Sequence, residues 1–377
     1  MPDPLRHVRV LAGEIGPRGA TSAGETRAAR YIAEAARGFT HQVWLEPFRS
    51  TSSPAPAWLF ALGLSLLGGV TLWVHPPVGA VLATVGAVSF AGQAAGWIDL
   101  GRLFPQRSSQ NAIAVVPARE AIRRRLVLVA HYDTGVLWPW PALPRHERLG
   151  SVLVAAASAG LGAFSLLYAV TGHRLWAWLA LLPLVLVAAG AAAVGARLWR
   201  GRPDDRADAG AGGAAVALSA GEALARVPLR HTEVWFAFTG CREPGMAGVG
   251  ALLDRYRSLL ADATFLVLDR FGGGPLAYTR SEGWMVTPTE VAELLAKVAA
   301  SHPEWDLQAV TLRHCRTQAF PLVDRQLHAA ALLTADVDEG PATLRPVVLH
   351  QGARLVRAVA EELDRRACAE AEQEEPW

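Results

Sequence analysis

Charge is scarce in this chain, and cysteine scarcer. Charged residues make up 19% of 377 positions against 51% apolar, a balance too apolar for a purely soluble enzyme. Cys241, Cys315 and Cys368 lie far apart. They form neither a disulfide framework nor a CxxC metal pair, which fits a reducing compartment. The net charge of +2 and the lack of Lys/Arg runs exclude a phosphate-tracking surface, so no nucleic-acid partner is expected. Residues 1–40 lack the basic start and apolar core of a secretory signal and read as polar and helical. No repeat or low-complexity segment appears, apart from the acidic tail Glu370–Glu375.

The missing charge is concentrated in four places. Ala57–Val74, Val78–Ile98, Gly150–Gly172 and Leu175–Ala196 contain no ionisable Asp, Glu, Lys or Arg. Each is long enough to cross a hydrocarbon core about 30 Å thick at about 1.5 Å per residue. Trp58, Trp73, Trp97, Trp176, Trp178 and Trp199 sit at the run ends, where an interfacial belt is expected. The runs pair across His75-Pro76-Pro77 and His173-Arg174, turns too short to hold a domain. The sequence therefore predicts two transmembrane hairpins, 57–98 and 150–196. A discontinuous domain made of 1–56, 99–149 and 197–377 lies on one side of the bilayer. Arg102, Arg107, Arg145, Arg148, Arg197, Arg200 and Arg202 flank the spans on that side, against Arg174 on the other. The asymmetry puts the domain in the cytoplasm of a multi-pass integral membrane protein.

Outside the hairpins, helix and strand patterns alternate. Ser22-Ala23-Gly24-Glu25 has the form of a capping box opening a helix. Short apolar runs at 41–48, 111–117, 126–130, 233–238, 264–268, 307–312 and 329–334 read as strands, with helices at 213–226, 246–260, 288–300 and 345–366. The pattern predicts an α/β domain with a mixed, largely parallel sheet flanked by helices.

Functional groups in such a sheet collect where strands end. His131 and Asp133 follow the strand in "VLVAHYDT"; Asp208 lies in the turn "RADAGAGGAA"; Arg242 and Glu243 follow the strand in "VWFAFTGCREPG"; Asp269 closes "FLVLD". One imidazole with the carboxylates Asp208, Glu243 and Asp269 suits a divalent ion, zinc among the first choices. Singly, each is as readily a strand-end cap or a satisfied polar group.

In order and flanks, the four segments resemble the di-zinc aminopeptidase family, which includes bacterial leucyl aminopeptidases, glutamate carboxypeptidase, glutaminyl cyclases and the non-catalytic transferrin receptor. "TQAFPLVDRQLHAAAL" matches the segment before that family's last ligand. The resemblance implies His131 and Asp269 on one zinc, Asp208 bridging to a second, and Glu243 on that second ion. It also implies Asp133 orienting His131 and a general-base Glu just before Glu243.

That base position is Arg242, which stays protonated and accepts no proton. Ala209 and Ala211 replace the family's polar residues after the bridging Asp, and the final His ligand has no match. Ala335 or Asp336 stands in its place, with His314 and His328 nearby at the wrong spacing. At most one zinc is expected, held by His131, Asp208 and Asp269, and Arg242 could instead stabilise carboxylates in a metal-free site. Two functional readings stay open. One is a catalytically impaired, membrane-anchored pseudoenzyme that serves as a binding or scaffolding module for a membrane protein or peptide. The other is an active zinc metallopeptidase of aminopeptidase type, or a one-metal hydrolase, acting on a membrane-proximal peptide. A transporter is disfavoured because the spans hold no ionisable pathway. Trp138-Pro139-Trp140-Pro141 leads from His131 toward the second hairpin, so the cleft is expected to face the membrane.

Overall fold

The computed structural model describes residues 2–137, 144–204, 210–282, 285–312, 316–335 and 344–374. The chain divides into two compact units: Met1–Arg49, Ser108–Gly135 and Pro203–Trp377 form one, Ser50–Arg107 and Val136–Arg202 the other.

The first unit is built on a nine-stranded sheet. Its strands are β1 (Gln42–Ser50), β2 (Arg107–Val116), β3 (Arg124–His131), β4 (Thr232–Thr239), β5 (Thr264–Leu268), β6 (Leu276–Glu282), β7 (Met285–Val286), β8 (Gln308–Leu312) and β9 (His328–Thr334). They run in the order β1-β2-β4-β3-β5-β9-β6-β8, with β7 paired to β6. β3 is parallel to β4 and β5, and β9 is parallel to β5. β2 lies antiparallel to β4, and β6 antiparallel to β9, so the sheet is mixed with a parallel centre. The central strands are unbroken apolar runs because helices cover both faces: Leu126–Ala130 is fully buried. β6 carries no such run. Its Thr279, Arg280, Ser281 and Glu282 hide the strand from a hydropathy reading, although it pairs with both β9 and β8.

The helix Ala211–Arg226 lies so close to β5 that a Cβ on Gly213 would sit 2.3 Å from the Leu268 carbonyl oxygen. Its Ala/Gly-rich sequence follows from that approach. At the helix Ala23–Arg37, Ser22 caps as expected, accepting from Glu25 N–H at 3.2 Å. The reciprocal half of the box is missing. The buried Glu25 carboxylate instead accepts from Thr21 N–H (2.8 Å), Ser109 Oγ–H (2.9 Å) and Cys241 N–H (2.9 Å). A residue read as a local cap is thus a long-range tie to the end of β4.

The second unit is helical. Pro76–Ala95, Leu149–Thr171 and Arg174–Arg200 are long and apolar enough to cross a membrane, at 20, 23 and 27 residues. The fourth apolar run, expected as a span to Val74, forms a shorter helix, Ala55–Thr71, of 17 residues. Trp73 N–H and Val74 N–H turn back onto Val70 and Thr71 carbonyls, and the prolines after His75 disfavour helical backbone just ahead of them.

The outer surface of this unit is apolar as well as its core. Small residues such as Ala57, Ala61, Ser65 and Ala83 share the interior with Leu62, Leu72 and Leu161, while Val88 (58% exposed), Leu182 (68%) and Val170 (76%) face outward. A Cβ on Gly68 would lie 2.2 Å from Ala83 N, and one on Gly86 2.4 Å from Ser65 N. The helices Ala55–Thr71 and Pro76–Ala95 therefore pack backbone to backbone through small residues. Gly68→Leu should force them apart and cost about 3 kcal/mol of stability in detergent. Gly63→Leu, which meets open space, should cost nothing measurable. Equal thermal-unfolding shifts for the two variants would contradict this packing.

Candidate functional site

Three strand ends converge on one edge of the sheet, where the register pairs His131 with Thr239 and Ala130 with Leu268. β3 delivers His131 and then Asp133. Their backbone is pinned by the fully buried Arg18, whose Nε donates to Tyr132 O at 2.7 Å and whose N–H donates to Thr134 Oγ1 at 2.9 Å. β4 runs into Cys241, whose left-handed backbone (φ 51°) turns the chain so that Arg242 N–H reaches Asp133 Oδ2 at 2.8 Å. β5 ends at the fully buried Asp269, followed by Arg270, also left-handed (φ 50°).

Side chains meet across these ends. Arg242 Nη2 donates to Asp269 Oδ2 at 3.2 Å and to the Arg316 carbonyl at 3.4 Å. His131 Nδ1 faces Asp269 Oδ1 at 3.8 Å, and Arg270 Nε lies 4.0 Å from that same oxygen. Asp133, expected to orient His131, instead holds the Arg242 backbone. Glu243 lies against Gly135, on which a Cβ would sit 3.2 Å from Glu243 Oε2. Gly210 passes directly over the imidazole: its φ is +74°, and a Cβ there would come within 3.1 Å of His131 Cδ2 and 2.6 Å of Asp133 O. Only glycine meets both demands.

Burial sets the charges. It drives the His131 pKa down to about 3, overriding the pull of Asp269, so the ring is neutral with a lone pair to offer. Burial, then Glu25, lifts Asp133 to about 7 against the opposing Arg242. Burial alone would raise Asp269 too, but Arg242, His131 and Arg270 hold it below its ordinary value. It is an ionised carboxylate whose countercharge is Arg242.

Asp208, His314, Cys315, Asp336 and the stretch 138–141 lie outside the described residues. Ala335, one of the two candidates for the last-ligand position, is apolar and donates its N–H to Pro275 O. His328 sits at the opposite end of its strand, paired with Thr264, and is excluded from the site.

No protein-family model matches the sequence, and no curated protein does. Solved structures do. A zinc aminopeptidase from Bacillus subtilis aligns over 96% of this chain and 94% of its own, at 14% identity and TM-score 0.56. A glutaminyl cyclase from an Acidobacteriales bacterium aligns over 97% and 94%, at 12% and 0.57, and one from Fimbriiglobus ruber over 96% and 95%, at 14% and 0.56. The chain has the zinc-aminopeptidase fold.

Among the described residues, no group of three or more His, Cys, Asp or Glu stands ready to hold an ion. His131 Nδ1 and Asp269 Oδ1 are buried without a hydrogen-bond partner and face each other, which fits part of one coordination sphere. The Arg242 guanidinium lies on the other oxygen of Asp269 and brings its own positive charge to that same position; Asp208, expected to link it to the second ion, lies outside the described residues. Sequence reading had missed Arg18, Glu25, Arg270 and Arg316. Isolated arginines and a capping glutamate carry no periodicity or spacing that marks them as members of a site.

Proposed function

We propose that the protein is a membrane-anchored member of the zinc-aminopeptidase fold whose cleft binds a partner or peptide and does not cleave it. One observation carries the reading: Arg242, in place of a general base, donates to Asp269 at 3.2 Å. The guanidinium compensates a carboxylate that would otherwise need a cation. The test is the metal content of purified protein. At most one zinc per chain is expected, supplied with ligands by His131, Asp208 and Asp269. His131→Ala should abolish any binding, whereas Glu243→Ala should change it little. Two tightly bound ions per chain would overturn the reading and make Asp336 the first suspect for the lost ligand.

A second reading, a one-metal hydrolase acting on a membrane-proximal peptide, draws on the neutral imidazole and the unpartnered oxygen that face each other. Bound there, zinc would supply Lewis acidity.

Anchoring by the bilayer is inferred from the outward-facing valines and leucines of the helical unit, which water would penalise. The arginine asymmetry supports a cytoplasmic position for the termini and the folded domain. A cysteine engineered at His173 should react with an impermeant maleimide on intact cells, while Cys368 should not; the reverse pattern would move the domain outside.

A further inference from the structure

One buried amide beside the site has an open acceptor. Gln318 has no exposed surface. Its Nε2 donates to Thr239 Oγ1 at 2.8 Å, and its Oε1 has no hydrogen-bond partner. Thr239, equally buried, closes β4 and is the register partner of His131. Such partners on adjacent strands leave the sheet on the same face, so the Gln318 amide lies on the face that carries the imidazole. Two further atoms there are buried without a partner, His131 Nδ1 and Asp269 Oδ1, which face each other at 3.8 Å. A buried acceptor left without a donor is costly, and native proteins keep few of them.

The segment that carries Gln318 is held from both sides. Arg316 O accepts from Arg242 Nη2 at 3.4 Å, the same nitrogen that reaches Asp269. Thr317 N–H and its hydroxyl both donate to the buried Glu282, at 2.9 and 2.5 Å. Ala319 N–H returns to Thr317 Oγ1 at 3.1 Å. With its neighbours fixed and Nε2 tied to Thr239, the Gln318 carbonyl is a preorganised acceptor, which a ligand can use without ordering the side chain first. What it accepts from must be a donor. A carboxamide oxygen carries no charge and matches a neutral N–H. A cationic donor is opposed by Arg242, which already lies on Asp269.

We propose that Gln318 is a specificity-determining residue of the cleft, its Oε1 accepting from a backbone amide N–H of a bound peptide. A free ammonium end is the less favoured donor. This rests on the reading of the cleft as a peptide-binding site, and its test is chosen so that the two can fail separately.

The test measures binding of N-acetyl-tetra-alanine, with a fluorophore on its C-terminal amide, to the full chain in detergent with EDTA present. Three analogues each replace one internal peptide N–H by an ester oxygen, and a fourth has a free amino end. One ester should bind about tenfold more weakly than the parent peptide, the cost of one lost hydrogen bond, and the free-amine peptide should also bind more weakly. In Thr239→Val/Gln318→Met the parent peptide should lose about tenfold in affinity and should no longer be distinguished from that ester, because the N–H and its acceptor are coupled. The double variant should unfold at or above the temperature of the unaltered protein, since apolar groups of similar shape replace a pair that leaves an acceptor open. A lower unfolding temperature would mark Gln318 as structural and overturn the inference. Esters that all bind like the parent would show that water serves the acceptor, with the same consequence. So would undiminished ester discrimination in the double variant, or a free-amine peptide that binds as tightly as the acetylated one. Binding without discrimination sinks this inference alone, whereas no binding by any probe sinks the reading of the cleft as a binding site along with it.

Discussion

Purified and supplied with zinc, the protein should release no N-terminal residue from amino-acid amides or short peptides above background. General-base assistance supplies about 10²–10⁴-fold in rate, and the resemblance puts an arginine at the position that would provide it. The guanidinium also does more than fail to accept a proton. Its Nη2 lies on Asp269, placing positive charge on a carboxylate that would otherwise be available to a cation. These losses act on one transition state and need not multiply, yet either leaves a poor peptidase. Arg242→Glu should not rescue activity. It would set a second carboxylate against the fully buried Asp269 and remove the countercharge, while Ala335 and its neighbours still offer no imidazole. Rapid zinc-dependent release of N-terminal residues by the unaltered protein, lost in His131→Ala, would refute this and direct the search for a base to Asp336, Asp338 and Glu339.

The sheet was legible in the sequence because parallel central strands must be apolar on both faces. β3, β4, β5 and β9 declare themselves as buried runs such as Leu126–Ala130. β6 stayed hidden because it lies toward the sheet's far edge, where Arg280 is exposed and Ser281 half-exposed. The site was legible to the extent that its groups follow strand ends: His131, Arg242 and Asp269 do meet there. What each one touches was not legible. Asp133 could be placed beside His131 from the motif alone, yet the left-handed turn at Cys241 carries the Arg242 N–H onto it instead. Glu25 obeys a local capping rule in sequence and a long-range demand in space, since three donors from three segments converge on its carboxylate. Local signals cannot express such convergence. The apolar helices were legible as composition, and the end of Ala55–Thr71 was not, because hydropathy continues through Trp73 and Val74, whose N–H groups turn to the Val70 and Thr71 carbonyls three residues back.

Arg242→Met should destabilise the α/β unit by about 3–5 kcal/mol, the usual cost of leaving one partner of a buried ion pair uncompensated. Asp269 has no exposed surface, so water cannot replace the lost guanidinium, and Arg270 stands too far away at 4.0 Å to take over. In a domain of this size such a loss corresponds to a fall in Tm of roughly 10 °C. The double variant Arg242→Met/Asp269→Asn should recover most of it, because no charge is then stranded, and the coupling between the two positions is the quantity a mutant cycle isolates. Added zinc should stabilise the Arg242→Met variant more than the unaltered protein, since Asp269 Oδ2 becomes available beside His131 and ligand binding to the folded state alone raises its stability. Should Arg242→Met unfold at the same temperature as the parent, and the double variant gain nothing over it, Arg242 would not be the countercharge of this site, and the charge balance of Asp269 would have to come from a bound ion.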